Sequence, residues 1–178
     1  MTAKRQRTPL GLGCALALAI VLLDQACNFY LLHVIGLAPG AQIRVLPFLD
    51  ISFVWNRGIS YGLFQQHGES GRWLLVALAI AAVVLIGFWL MRTKSRLMGA
   101  ALGLIAGGAL GNALDRVVYG AVIDFLHLHG GTIPWLDFPF SFNLADTAIS
   151  LGVVLLILES MIAKEDKGEA LEQGRKTG

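Results

Sequence analysis

Between Leu97 and Arg116 the chain reads LMGAALGLIAGGALGNALDR, with glycine at positions 99, 103, 107 and 111. A four-residue step nearly matches the 3.6-residue turn, so on a helix these glycines form one stripe that drifts slowly around the axis. In lipid, a small-residue stripe lets a second helix approach backbone to backbone. Asp115 continues the same step. The seam that packs this helix should therefore turn a carboxylate into the interior and away from lipid.

Working outward, the chain has 178 residues, 56% of them hydrophobic, too apolar for an ordinary soluble domain. Four apolar stretches, about residues 10–35, 73–91, 97–115 and 144–163, are each near the roughly 20 residues that span a bilayer as a helix. The first begins after Lys4, Arg5 and Arg7 and contains Ala26-Cys27, the outline of a lipoprotein signal peptide. Asp24, however, stands three residues before that cysteine, where such a cleavage site wants an apolar residue, and the run continues through Phe29, Tyr30, Leu31 and Leu32. A retained helix is expected. Arg92, Lys94 and Arg96 fill the link between the second and third stretches, and Lys164, Lys167, Arg175 and Lys176 follow the fourth. All these basic clusters can face the cytoplasm only if the chain crosses four times with both ends inside. The expected domain is a single membrane unit over 1–164 with a charged cytoplasmic tail at 165–178, solvated and partly disordered. The net charge of +2 reports topology and gives no reason to expect nucleic acid.

Two segments fall on the opposite face. Gln42–Asn56, QIRVLPFLDISFVWN, has the β-branched and aromatic content of short strands lying on the membrane surface. Leu126–Phe142 holds Trp135, Phe138, Phe140, Phe142 and two prolines, which argues against a regular span and for an aromatic rim at headgroup level. The fold class expected is an all-α membrane protein of four transmembrane helices, with a small β-containing extracytoplasmic segment and a second, aromatic-rich one. Cys14 and Cys27 lie inside the first helix without metal or redox spacing, and read as lipid-facing or packing residues. His127 and His129 could form half a metal site but have no third ligand nearby, so a bland surface role is expected and no metal or cofactor is called for.

The acidic residues carry the chemistry. A carboxylate in a span costs about 3 kcal/mol on insertion scales, so it needs a partner or a task. Asn112 and Asp115 share a helix face at i, i+3, and Asn143 and Asp146 repeat that spacing at the start of the fourth helix. Asp124 lies between them in an apolar frame, Val122-Ile123-Asp124-Phe125. Asp24 sits in the outer half of the first helix and needs an interhelical partner; Glu159, near the cytoplasmic end, can snorkel. Convergent carboxylates cannot all ionise, so one keeps a proton and a pair can act as acid and base together, which suits peptide hydrolysis. Intramembrane acids equally serve a proton- or cation-coupled transporter, and spacing does not choose between the two.

The run Gly111-Asn112-Ala113-Leu114-Asp115-Arg116, continuing to Gly120 and Val122-Ile123-Asp124-Phe125, resembles the GNxxDRxxxGxVxDF signature of lipoprotein signal peptidase, the type II signal peptidase of bacteria. Phe142-Asn143-Leu144-Ala145-Asp146-Thr147-Ala148-Ile149 is similar to its FNxADxxI motif, Asn56-Arg57-Gly58 with Ser60-Tyr61-Gly62 to its outer-loop element, and Asp24-Gln25 to its first-helix block. The resemblance implies an inner-membrane aspartic endopeptidase with its site toward the periplasm. Its substrate would be diacylglyceryl-modified prolipoprotein, cut on the N-terminal side of the lipidated cysteine, with membrane lipid as surroundings and a monomer as the working state. Asp124 and Asp146 would be the catalytic pair. Asn112, Asp115, Arg116 and Asn143 would support it or contact substrate, and Asn56 and Asp24 would shape the pocket. The chain departs from the family at Asn28, where the first-helix block usually has lysine, so Asp24 must be paired differently, either protonated or hydrogen-bonded to Asn28. It departs more mildly at Ile59-Ser60-Tyr61.

Overall fold

The computed structural model describes residues 8–58, 69–129 and 140–176, with side chains as far as 163. Four helices are long and apolar enough to cross a membrane among the described residues. The first, α1, spans Pro9–Phe29, with Thr8 Oγ1 accepting from Gly11 N as its cap and Pro9 at the first position, where a missing N–H costs nothing. It runs into a π-helical turn, Tyr30–Val34. The second and third, α2 (Glu69–Arg92) and α3 (Arg96–Tyr119), are joined by a tight link in which Ser95 caps α3. At its far end α3 stops at Gly120, whose φ of 81° is left-handed and favours glycine. The fourth, α4 (Leu144–Lys176), continues as helix through the stretch expected to be partly disordered. Its Lys, Glu, Gln and Arg are good helix formers, and a helix already nucleated in the membrane propagates into such residues at little cost.

The glycine stripe does what its spacing predicts. A Cβ on Gly99 would lie 2.6 Å from Pro9 O, one on Gly107 2.8 Å from Ala17 O, and one on Gly103 would meet the Gly13 backbone. All three faces meet α1, so only glycine permits this approach. On another face of α3, Gly108 lies against Ala145, and Gly152 of α4 against Ala101 and Ile105. The third helix is thus the buried centre of the bundle, while α1, α2 and α4 turn Leu18, Leu22, Leu78, Leu85, Phe88, Val154, Ile157 and Met161 outward.

Segments before α2 and after α3 join into one antiparallel sheet, a larger β portion than the single β-containing segment expected, so an all-α label is too narrow. Strands β1 (Gln42–Leu46), β2 (Leu49–Asn56), β3 (Val122–Leu128) and β4 (Ser141–Phe142) lie in the order β1-β2-β3-β4. The strands expected in 42–56 are there. The second segment supplies the other half of the same sheet; Trp135 and Phe138 fall outside the described residues. Leu31, Leu37, Phe53, Ile123 and Phe125 form a buried cluster that fastens the sheet to the π turn of α1. Since strand side chains alternate, Ile123 and Phe125 take this core and leave Asp124 on the opposite face.

Candidate active site

Two asparagine-led constructions set the central carboxylates. Asn143 precedes α4 and accepts from Asp146 N through Oδ1 at 2.8 Å, the usual way a cap satisfies an orphan N–H. Its own Nδ2 donates to Asn112 Oδ1 at 3.0 Å, and Asn112 Nδ2 donates to Asp146 Oδ1 at 2.9 Å. Capping and orientation of Asp146 thus pass through one relay that joins the two asparagines, while Asp115 takes other partners. On the sheet side, Asn56 at the end of β2 donates to Asp124 Oδ2 at 2.9 Å while its Oδ1 accepts from Gly58 N. Asp124, Asp146, Asn56, Asn112 and Asn143 are all buried.

Asp124 and Asp146 lie close enough to repel electrostatically. Burial first, then the charge of Asp146, push the Asp124 carboxyl up to about 8, against the opposing pull of the Asn56 hydrogen bond and the Arg116 cation. At neutral pH the Asp124 carboxyl is therefore mostly protonated. Its second oxygen, Oδ1, is buried with no hydrogen-bond partner among the described residues. Arg116, also buried, donates from Nη1 to Asn112 O at 3.0 Å and from Nη2 to Gly58 O at 2.5 Å. Its fork ties α3 to the turn after β2 and leaves its charge beside the aspartates.

Asp115 and Asp24 are fully buried a layer deeper. Asp115 Oδ2 accepts from Ile123 N at 3.2 Å, and Asp24 Oδ1 from Ala145 N at 3.1 Å. Of the two alternatives open for Asp24, the bond to Asn28 is not made: Asn28 Nδ2 donates to both Asp115 oxygens at 3.0 Å, and Gln25 Nε2 reaches Asp24 and Asp115 together. An i, i+4 carboxamide could reach Asp24, but Asp115 arrives on the glycine seam and offers two acceptors.

All eight residues singled out in the sequence thus fall in one buried network. Gln25 and Asn28 are not among those eight, although both are read in the first-helix block, Gln25 next to Asp24 and Asn28 one turn on. A second group went unread. Asp50, on β2, accepts from Gln42 Nε2 at 2.5 Å and stands 3.4 Å from His129 Nε2 and 3.5 Å from Arg44 Nε. Burial opposes its charge, but the Gln42 bond, His129 and Arg44 together hold it below the ordinary carboxylate range. His129 therefore has a carboxylate partner, a contact the surface reading did not include; the register of β2 and β3 sets Asp50 opposite His127, two residues before it.

Residues 16–162 match the family model described as Signal peptidase (SPase) II. A lipoprotein signal peptidase of Methylorubrum extorquens (strain PA1) is 53% identical over 149 residues, covering 84% of this chain and 85% of the relative. Another, from Methylobacterium sp. (strain 4-46), is 49% identical over 162 residues, covering 91% and 95%. A bacterial membrane enzyme solved by the in meso method at 2.3 Å superposes with a TM-score of 0.76 at 25% identity, over 88% of this chain and 92% of that one. With the family model spanning all four apolar helices and the buried aspartates, the chain belongs to the signal peptidase II family of membrane peptidases.

Proposed function

We propose that Asp124 and Asp146 are the reacting pair, and that they hydrolyse the peptide bond on the N-terminal side of a diacylglyceryl-modified cysteine in a prolipoprotein. The observation that carries this is the meeting of two buried carboxylates, each held through one oxygen by an asparagine amide, Asp124 by Asn56 and Asp146 by Asn112. Burial and the charge of Asp146 keep a proton on Asp124. The protonated acid can donate to the scissile carbonyl oxygen as Asp146 takes a proton from the attacking water. Water adds to the carbonyl carbon to give a gem-diol; as the C–N bond breaks, the proton now on Asp146 passes to the leaving nitrogen and one hydroxyl of the gem-diol returns its proton to Asp124, restoring the pair. Arg116 keeps the pair from accumulating uncompensated negative charge. The chemistry calls for no metal, so cleavage should survive a chelator.

The finer reading places this pair at the periplasmic side of the inner membrane, in a monomeric single-domain unit over 1–164, with both ends and the charged 165–178 tail in the cytoplasm. It rests on the three basic clusters and on the shared position of the sheet and the aspartates at one end of the bundle. Substrate would enter laterally from lipid, its acyl chains staying in the bilayer.

The test is cleavage of a diacylglyceryl-modified prolipoprotein by purified protein. Wild type should cut before the lipidated cysteine, and Asp124→Asn and Asp146→Asn should each lose at least about a thousandfold of that rate, consistent with loss of one member of a unit that acts together. Near-wild-type cutting by either variant would move the chemistry elsewhere, with Asp115 the next carboxylate to try. Proton-driven ion flux in liposomes, without cleavage, would instead support a transporter.

A further inference from the structure

The two deeper aspartates share a pattern. Asp115 holds the N–H of Ile123, the residue before Asp124, and Asp24 holds the N–H of Ala145, the residue before Asp146. Each member of the proposed pair is thus preceded by a backbone group anchored on a second carboxylate. Gln25 joins the two anchors, its Nε2 lying 2.7 Å from Asp115 Oδ1 and 3.2 Å from Asp24 Oδ2. Asn28 donates to Asp115 at 3.0 Å from the next turn, and its own Oδ1 is buried without a partner among the described residues. Turning that amide over would set its oxygen against a carboxylate, so Asp115 fixes its orientation.

We propose that Gln25 and Asn28 are positioning residues for hydrolysis: their amides lock Asp24 and Asp115, which in turn hold β3 and the start of α4 at the spacing the reacting aspartates need. The inference rests on the reading of Asp124 and Asp146 as that pair. Neither amide donates to Asp124 or Asp146, so their effect passes through the backbone of Ile123 and Ala145. Among the described residues Arg116 is the buried cation near this layer, and it is engaged with Asn112 and Gly58. Neutral N–H donors therefore perform the work of ordering two acids. Misplacing reacting groups by about 1 Å can cost on the order of a hundredfold in rate, so a partial loosening should be visible in kcat.

Gln25 is half-buried, and leucine is close to it in size and suited to a membrane helix. In Gln25→Leu, kcat on a diacylglyceryl-cysteine peptide should fall about tenfold or more while KM stays within about twofold and the melting temperature holds. Gln25→Glu keeps the shape and can donate only when protonated. Its rate relative to wild type at the same pH should be higher at pH 5.5 than at pH 8.5. Among the described residues, the ionisable groups coupled to this layer are Asp24 and Cys27 on α1, Asp115 and Arg116 on α3, Asp124 on β3 and Asp146 on α4. Unchanged kcat in Gln25→Leu overturns the proposal, as does a raised KM at constant kcat, which would make Gln25 a substrate contact. If Gln25→Leu does not fold, Gln25→Glu decides: a ratio to wild type that does not change with pH overturns it. Asp124→Asn and Asp146→Asn run alongside; if either still cleaves, the reading of the pair fails, separately from anything seen at Gln25.

Discussion

At the scale of single residues, Asp124 couples activity to instability. Its carboxyl, ordinarily near 3.8, is held up to about 8 in the fold. Between those values the folded chain keeps a proton that the unfolded chain releases, so the contribution of this group to stability falls as pH rises through that window. Asp124→Asn removes a titration that opposes folding and keeps the shape. The variant should therefore melt higher than wild type, with the gain larger at pH 7.5 than at pH 5 in a thermal shift series; a lower melting temperature at both would mean that the Asn56 bond outweighs the burial cost. In the proposed mechanism the same proton sets the rate profile. Cleavage should decline as pH rises through about 8, as Asp124 loses the proton it donates, and a kcat profile flat to pH 10 would remove it as the acid. Asp50 runs the other way. Held low by Gln42, His129 and Arg44, it stays charged through the neutral range and contributes stability that is lost only as pH falls through its depressed value.

At the scale of elements, the α1–α3 seam makes the deeper carboxylates possible, because close backbones bring Asp24 under Gly111, where a Cβ would sit 2.9 Å from Asp24 Oδ2. Gly103→Leu should destabilise by at least about 2–3 kcal/mol, since the clash is with backbone that cannot rotate away. Gly87→Ala, in α2 with nothing within 4 Å of its Cβ, should be neutral or stabilising by about 0.5–1 kcal/mol. Thermal unfolding in detergent measures both, and equal effects would mean that the seam is looser than its geometry. This seam was legible because a four-residue glycine step has one geometric meaning on a helix, and the inward turn of Asp115 follows from it. The Asn-x-x-Asp repeats were legible in the same way, by helical spacing. The partners of Asp24 were not: a backbone N–H at Ala145, 121 residues away, has no signature in the sequence. Nor was the Asp50 group, which depends on strand register and on β1–β2 and β2–β3 pairings that are both interrupted by a shift. The sheet itself was half legible, since β1 and β2 have strand composition while β3 carries an aspartate and a histidine that dilute the pattern.

At the scale of the whole molecule, the bundle is an inverted arrangement, with its outward surface apolar and its polar side chains gathered in the middle. Leu18, Leu22, Leu78, Leu85, Phe88, Val154, Ile157 and Met161 form a belt that in water would be a large aggregation surface and in lipid needs no cover. Buried aspartates beside the sheet, at one end of that belt, give the molecule a direction. In the orientation proposed from the basic clusters, that end faces the periplasm. Position determines the check: Lys94 lies exposed in the α2–α3 link, and Val45 is 50% exposed on β1. With Cys14 and Cys27 first replaced by alanine, a single cysteine at 45 should react with a membrane-impermeant maleimide in spheroplasts and a single cysteine at 94 should not, while inside-out vesicles reverse the pair. The opposite pattern would put the aspartates on the cytoplasmic side, where a prolipoprotein that has already crossed the membrane could not reach them. The orientation and the peptidase reading would then be incompatible, and the basic clusters would need a different explanation.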